Sequence, residues 1–237
     1  MTTRRAGRVI RLEANVRPTV TGKFLPMSPE LHAYVVDHSS PRDDALLEIE
    51  RETERLGSDA VMQMAPEQGA LFTVLVGAMG ARLAVEVGTF TGYGAVCIAR
   101  GLAPGGRLIC CELDPERARI AEGSLDRAGV ADRAEVRVGP ALETLRALPL
   151  DAGIDFAFVD ADKPAYPDYF GELLPRMRSG GLIALDNMLR SGHVVDPDPG
   201  DRSTRALAEL NDQLAADPRV EVAMIAVADG ITFARKL

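Results

Sequence analysis

An alternation of short apolar runs with helical segments, from Leu83 onward, constrains the fold of this chain more than any other feature. Five runs have the length and apolar character of buried strands: LAVEVG, RLICCEL, AEVRVG, IDFAFVD and LIALDN. Stretches with helical character, such as DPERARIAEGSLDRAG and STRALAELNDQLAAD, separate or follow them. This order predicts an α/β fold in which a mostly parallel sheet carries helices on both faces.

The two ends of the chain extend this core. Two early segments begin with Ser-Pro, at Ser28 and at Ser40, and this pair of residues favours the first turn of a helix. A helical N-terminal cap is therefore predicted, with its second helix ending near Gly57. Near the C-terminus, two strand-like runs meet at Asp229-Gly230, which predicts an antiparallel hairpin at the edge of the sheet.

Length and charge narrow the class of protein. A chain of 237 residues fits one domain, and we expect a single unit with the helical cap at 1–60 and a catalytic core at 61–237. The net charge of −8, with Lys and Arg scattered along the chain, argues against a nucleic-acid partner and favours a small-molecule partner. No apolar run has the length of a signal peptide or a membrane span, so we expect no membrane partner and a cytoplasmic location.

Carboxylates stand near the ends of four of the strand-like runs. They are Glu86, Glu112, Asp160 and Asp186. In open α/β sheets, ligands bind in the crevice outside the carboxyl ends of the strands, so these acids are expected to line one edge of the sheet. One acid at such a position can equally cap the following helix, but four together favour a binding site.

The loop after the first strand indicates what kind of ligand binds there. It reads EVGTFTGYGAV, and its three glycines allow the backbone to approach a ligand closely. It matches neither G-x-G-x-x-G nor a P-loop, and it contains no Lys or Arg for phosphates. Glu112 follows Gly92 by 20 residues, at the end of the second strand, where a carboxylate can bind ribose hydroxyls. A nucleoside ligand without phosphates is predicted, and S-adenosylmethionine (SAM) is such a ligand.

A second group of polar residues follows the later strands. Asp160, Asp186 and Asn187 offer three oxygen ligands from the ends of two strands, which suits Mg²⁺, with Ca²⁺ or Mn²⁺ as alternatives. A cation at this place would make a phenolic hydroxyl easier to deprotonate. Lys163 follows Asp160 by three residues, and a lysine near a cation loses its proton more readily, so it is the candidate base. The alternative is an ordinary surface lysine on a loop.

These motifs resemble a known family. The segments EVGTFTGYG, CELDPE, DFAFVDADKPAYPDYF, GGLIALDNML and DPRVEVAMIAVADGITFARK are similar to the cation-dependent class I O-methyltransferases, the group that contains caffeoyl-CoA and catechol O-methyltransferases. The similarity runs from about Lys23 to the C-terminus. It implies a Rossmann-like, seven-stranded methyltransferase sheet, use of SAM, methylation of one hydroxyl of a catechol-like phenolic substrate, and a homodimer.

The resemblance also assigns roles to individual positions. Asp160, Asp186 and Asn187 match the metal ligands, and Lys163 together with Asp160 matches the catalytic pair. Positions that match contacts to the cofactor are Met64, Glu86, Gly88, Thr89, Gly94, Glu112, Ala141 and Asp162. Lys23, Asp160 and Arg190 match positions that contact the substrate.

The chain departs from the family at three places. Pro140 stands where the family usually has Asp, so a backbone contact from Ala141 is expected near the adenine. Gly94 replaces the usual Ser and removes one hydroxyl. Arg190 stands where plant relatives carry Trp, and we therefore expect, in place of caffeoyl-CoA, a smaller phenolic acceptor or one from specialised metabolism.

Two other functions are compatible with a strand followed by a glycine loop and a helix. A nucleotide-dependent oxidoreductase would need a pyrophosphate-binding fingerprint, which this chain lacks. A non-catalytic nucleoside-binding protein would bind the cofactor without turnover. The complete DADK and DN motifs argue against the second alternative.

Overall fold

A computed structural model describes residues 25–237, so Lys23 and the first part of the predicted cap lie outside the described residues. The α-helices are α1 Pro29–Asp37, α2 Asp44–Glu54, α3 Pro66–Ala78, α4 Tyr93–Gly101, α5 Pro115–Arg127, α6 Ala141–Ala147, α7 Tyr166–Arg176 and α8 Arg202–Ala216. The strands are β1 Leu83–Val87, β2 Arg107–Glu112, β3 Ala134–Val138, β4 Ile154–Val159, β5 Met177–Leu185, β6 Val220–Ile225 and β7 Ile231–Lys236.

The seven strands form one sheet with the order β3-β2-β1-β4-β5-β7-β6. Strands β1 to β5 run parallel to one another, and β7 runs antiparallel to both β5 and β6. The predicted α/β fold with a C-terminal antiparallel hairpin is therefore confirmed. The strand order reverses beside β1, where β2 lies on one side and β4 on the other, and this is where ligands bind in such sheets.

The predicted helix starts of the cap are half right. Helix α1 begins after Ser28, whose Oγ accepts a hydrogen bond from the Leu31 amide at 3.2 Å, as the Ser-Pro pair predicts. The predicted start of the second helix at Ser40 is wrong, because α2 is capped by Asp43 Oδ1, which accepts from the Leu46 amide at 3.1 Å. Its end at Glu54 also precedes Gly57, which instead begins a 3₁₀ turn over Gly57–Met62.

Two apolar layers enclose the sheet. On one face, Phe72 of α3 packs edge-on against Phe156 and Phe158 of β4, with ring centroids 5.5 and 4.7 Å apart. On the other face, Tyr166 and Leu173 of α7 are fully buried against the sheet. Helices therefore cover both faces, and the edge where the parallel strands end is the part of the sheet left for polar groups. Within residues 25–237, none of the helices is both long and apolar enough to cross a membrane.

Candidate active site

The four predicted carboxylates lie at one edge of the sheet. Glu86 is the fourth residue of β1 and Glu112 is the last of β2. Asp160 and Asp186 follow the last residues of β4 and β5. Since these four strands are parallel and adjacent in the sheet, their carboxyl ends bring the four acids to the same side.

A narrow cavity opens beside the glycine loop at this edge. Its lining includes six of the residues that the resemblance assigns to the cofactor or the metal: Met64, Glu86, Gly88, Thr89, Gly94 and Asp160. Phe90 lines the same cavity with a backbone φ of 53°, which is unusual for a residue with a side chain. The cavity therefore joins the first loop after β1 to the end of β4.

Gly88 allows the ends of β1 and β4 to meet. Its backbone φ is +87°, and a Cβ atom there would lie 2.0 Å from the carbonyl oxygen of Asp160. Any other residue at this position would push Asp160, the shared candidate for substrate and metal contacts, away from the cavity. The glycine is thus required for the geometry of the site.

Gly88→Ala is expected to lower the free energy of unfolding by about 3 kcal/mol, because it adds a left-handed backbone penalty to an overlap with the backbone. Gly129→Ala is the matched control, since Gly129 also has a positive φ of 67° but a Cβ there would meet no atom within 4 Å. This control should cost about 1 kcal/mol. Urea unfolding of both variants measures the difference, and equal losses would show that the contact with Asp160 is tolerated.

Glu86 is the most buried of the four acids. Its side chain is only 1% exposed, and burial raises the pKa of its carboxyl well above the ordinary value. The Oε2 atom has no hydrogen-bond partner among the described residues. Because a buried polar atom without a partner is costly, this oxygen fits a donor group of a ligand such as the ammonium of SAM.

The absence of a side chain at position 94 brings Glu86 close to helix α4. A Cβ atom at Gly94 would lie 2.5 Å from Glu86 Oε1 and 2.8 Å from the terminal methyl of Met64. The serine that the family usually carries would therefore require Glu86 or Met64 to move. The glycine provides the space in which these two side chains line the cavity.

Glu112 holds the glycine loop in place. Its Oε2 accepts hydrogen bonds from the amides of Thr89 at 3.2 Å and Phe90 at 2.7 Å, and its Oε1 accepts from the amide of Asp114 at 3.0 Å. A carboxylate has about four acceptor positions, so ribose hydroxyls can still bind beside these amides. The predicted ribose contact fits the position, and the structure adds a second role that the sequence pattern did not indicate.

Asp160 and Lys163 form a direct ion pair beside the cavity. Lys163 Nζ donates to Asp160 Oδ1 at 2.8 Å and to the phenolic oxygen of Tyr166 at 2.8 Å. The Tyr166 hydroxyl in turn donates to the carbonyl of Val159 at 3.1 Å. Burial, and then the charge of Asp160, raise the pKa of Tyr166 well above its usual value, so its hydroxyl keeps the proton that it donates. Lys163 is therefore held at a defined place, with a side chain only 12% exposed.

Asp186 and Asn187 follow β5 next to this pair. Asp186 is 4% exposed, and burial, followed by the like charge of Asp160, raises the pKa of its carboxyl to about 7. The amide of Gln68 lies near enough to lower that pKa, although among the described residues its Nε2 makes no hydrogen bond of good geometry. Asn187 has a left-handed backbone, with φ of 58°, which asparagine tolerates better than most residues.

The donor set at this place fits a divalent cation. The candidate ligands are two carboxylates and the amide of Asn187. Within residues 25–237, no three His, Cys, Asp or Glu side chains form a metal-binding group. Two like charges at the ends of adjacent strands, one of them buried, are an arrangement that a cation would stabilise. These three oxygen groups are of the kind that Mg²⁺ prefers.

The turn between β6 and β7 supports the segment after Asn187. The amides of Met188 and Leu189 donate to the carbonyls of Gly230 and Asp229 at 2.9 and 3.0 Å. The Asp229 side chain accepts from the amide of Ser191 at 2.6 Å. The predicted hairpin turn thus also positions a candidate ligand loop, a function that its sequence does not indicate.

The other predicted residues lie around this centre. Ala141 begins α6, where Pro140 provides no side-chain cap for the first amides. Asp162 is exposed and accepts a hydrogen bond from the Tyr169 hydroxyl at 2.7 Å. Arg190 is partly buried at the start of a 3₁₀ turn over Arg190–Val195. None of these three belongs to the lining of the cavity beside Glu86.

Sequence reasoning assigned no role to several residues of this site, and two of them make contacts that shape it. Tyr166 lies in the segment DFAFVDADKPAYPDYF, three residues after Lys163, and that spacing was the available signal. Phe90 was part of the glycine loop, but nothing in the sequence indicates its positive φ. Folding brings Tyr166 to the carbonyl of Val159 and brings the amide of Phe90 to Glu112.

Comparisons with known proteins identify the family. The family model described as O-methyltransferase matches residues 36–237. Tricin synthase 1 from Oryza sativa subsp. japonica is 37% identical over 231 residues, which cover 92% of each chain. Caffeoyl-CoA O-methyltransferase from Eucalyptus gunnii is 34% identical and covers 98% of this chain and 97% of its own.

A solved structure extends the agreement to the cofactor. The O-methyltransferase from Bacillus cereus, in complex with S-adenosylhomocysteine (SAH), is 33% identical and covers 87% of this chain and 97% of its own, with a TM-score of 0.81. These matches do not support the oxidoreductase alternative. The family match over most of the chain, the methyltransferase sheet and the cavity beside Glu86 together show that the chain belongs to the O-methyltransferase family and is a SAM-dependent O-methyltransferase.

Proposed function

We propose that this O-methyltransferase depends on a divalent cation and methylates one hydroxyl of a vicinal diphenol. The observation that carries the proposal is the placement of Asp160, which pairs with Lys163 at 2.8 Å, lines the cavity and lies close enough to Asp186 to raise the pKa of that carboxyl. A base, two carboxylates and the cofactor cavity therefore share one edge of the sheet. This combination suits deprotonation of a hydroxyl next to a methyl donor.

Each group of residues has a part in the proposed reaction. Asp160, Asp186 and Asn187 would hold the cation, which when bound would supply Lewis-acid chemistry that lowers the pKa of a diphenol hydroxyl. Lys163 removes the proton of that hydroxyl, and Asp160 stabilises the ammonium that results. The acceptor oxygen forms a bond to the methyl carbon as the bond from that carbon to sulfur breaks, and SAH leaves.

Positioning is expected to supply much of the rate. Aligned reactions within one complex gain about 7 to 11 kcal/mol over free reactants. Tyr166 contributes by fixing the position of Lys163 Nζ, because its phenol is itself anchored to the carbonyl of Val159 in β4. The base is therefore attached to the same strand that ends in Asp160.

The acceptor is proposed to be a small phenol. Relatives are named for caffeoyl-CoA, whose caffeoyl group carries two adjacent hydroxyls. Arg190 stands where plant relatives have Trp, and the turn Arg190–Val195 contains no Phe, Tyr or Trp to stack on a large acceptor. We also propose a homodimer, on the basis of the family resemblance alone.

Transfer of labelled methyl from SAM to a panel of catechols, with Mg²⁺ and with a chelator, tests this function. We expect product only with Mg²⁺, and we expect a monophenol of the same size to give none, since it lacks the second oxygen. Equal product with chelator would remove the cation from the proposal and leave the methyltransferase. Binding of SAH without product on any diphenol would contradict the acceptor class.

A further inference from the structure

Arg117 joins three separate parts of the wall around the cofactor cavity. It lies on α5, next to the carboxyl end of β2, and it contacts the glycine loop, the cap and its own helix start. We propose that Arg117 is a positioning residue that sets the affinity for the cofactor by fixing Phe90 and the 3₁₀ turn Gly57–Met62. The inference rests on the assignment of this cavity to SAM.

The first contact is with the glycine loop. The Cζ atom of Arg117 lies 4.7 Å from the centroid of the Phe90 ring, within the range of a cation–π contact. Phe90 lines the cavity with φ of 53°, and its amide donates to Glu112 Oε2 at 2.7 Å. Because this backbone conformation is unfavourable for phenylalanine, the surrounding contacts must hold it. The guanidinium supplies such a contact on the ring, as Glu112 does on the backbone.

The second contact is with the cap. Arg117 Nη2 pairs with Asp59 Oδ2 at 2.6 Å, and Asp59 lies in the 3₁₀ turn Gly57–Met62. The residues at the end of that turn and just beyond it, Met62, Gln63 and Met64, also line the cavity. A single guanidinium therefore connects two segments of the chain that line the cavity.

The third contact fixes the guanidinium itself. Asp114 Oδ2 lies 3.7 Å from Arg117 Nε, and the same carboxylate caps α5 by accepting from the amide of Glu116 at 2.7 Å. The Arg117 side chain is 24% exposed, so solvent screens it less than a free surface arginine. Its position is thus defined by the helix start, by Asp59 and by the ring.

Arg119 on the same helix gives the contrast. Its side chain is 74% exposed, and among the described residues its one ion pair is with Glu116, at 3.8 Å. Among residues 25–237, it makes no ion pair or side-chain hydrogen bond with the glycine loop or with the cap. If removing a positive charge from α5 were enough to weaken SAH binding, substitution of either arginine would weaken it. If Arg117 positions the cavity, only substitution of Arg117 should do so.

The experiment measures SAH binding to the full chain by isothermal titration calorimetry. We expect Arg117→Gln to weaken SAH binding about five- to tenfold. The variant loses the cation–π contact with Phe90 and the partly screened ion pair with Asp59, and these two contacts connect the segments that line the cavity. Arg119→Gln should stay within about twofold of the wild type. Asp59→Asn should weaken binding about threefold, and adding it to Arg117→Gln should cause little further loss, since the two residues share one contact.

A kinetic measurement separates positioning from a structural defect. With any acceptor that is methylated, Arg117→Gln should raise KM for SAM and leave kcat nearly unchanged, because the guanidinium contacts no reacting atom. Arg117→Lys keeps a cation that can reach both Phe90 and Asp59, and it should restore most of the affinity. If Arg117→Gln fails to fold, Asp59→Asn is the variant that loses the ion pair, and Arg117→Lys is the variant that keeps it.

The outcomes distinguish this inference from the assignment of the cavity. SAH affinity of Arg117→Gln within twofold of the wild type, or an equal loss in Arg119→Gln, would overturn the role of Arg117 and leave the SAM-dependent enzyme intact. A lower melting temperature without a change in SAH affinity would overturn it as well. A wild type that does not bind SAH would overturn both.

Discussion

Replacing Asp160 with asparagine is expected to lower methyl transfer about 1,000-fold while SAH binding stays near the wild-type level. Asp160 serves two groups at once, because it accepts from Lys163 at 2.8 Å and is a proposed ligand of the cation beside Asp186. Loss of the carboxylate would remove one cation ligand and the partner of the base. A factor of 1,000 corresponds to about 4 kcal/mol, which is the size expected when a metal no longer stabilises the transition state.

Asp168→Asn is the matched control for this variant. Asp168 is an exposed aspartate on α7, eight residues further along the same stretch, and it is expected to leave activity unchanged. Initial rates of methyl transfer with Mg²⁺, together with calorimetry of SAH and of Mg²⁺, separate the two effects. Substantial turnover in Asp160→Asn with unaltered Mg²⁺ binding would show that this carboxylate is not a metal ligand.

Replacing Lys163 with methionine is expected to lower kcat about 100- to 10,000-fold with little change in the KM values. Methionine keeps much of the apolar volume against the Tyr166 ring, over which the ammonium lies at 4.8 Å, but it cannot accept a proton. Because the acceptor would then have to lose its proton to water, the loss should fall on turnover and not on binding. Single-turnover rates with SAM and a catechol measure the chemical step directly.

Lys236→Met is the control, since among the described residues Lys236 Nζ donates to the carbonyls of Pro175 and Met177 alone, at the amino end of β5 and away from the site. This variant should keep its kcat. A Lys163→Met protein with wild-type kcat would assign Lys163 to structure and require another base. The two lysines lie at opposite ends of the sheet. A loss of kcat in Lys163→Met alone would therefore be due to the position of the lysine and not to the replacement of lysine by methionine.

Features determined by neighbours in sequence were predictable. The alternation of strands and helices follows from local periodicity, and the placement of Glu86, Glu112, Asp160 and Asp186 at one edge follows from their positions in parallel strands. The predicted start of α2 was wrong because both Ser40 and Asp43 are residue types that cap helices. In the structure, the Asp43 side chain caps the helix. Local rules state the candidates and do not rank them.

Features that join distant segments were decided only by the tertiary structure. Asp229 lies 38 residues after Ser191, but its side chain accepts a hydrogen bond from the Ser191 amide. Arg117 lies 58 residues after Asp59, but the two side chains form an ion pair. The sheet order brings these segments together, and a sequence pattern contains no information about which side chain a distant backbone will meet. The sequence by itself therefore determined the fold class and the chemical groups at the edge of the sheet. Only the structure showed which contacts hold those groups in place. Such contacts depend on how helices and strands pack against one another, and the hydrophobic periodicity of a single helix or strand does not specify that packing.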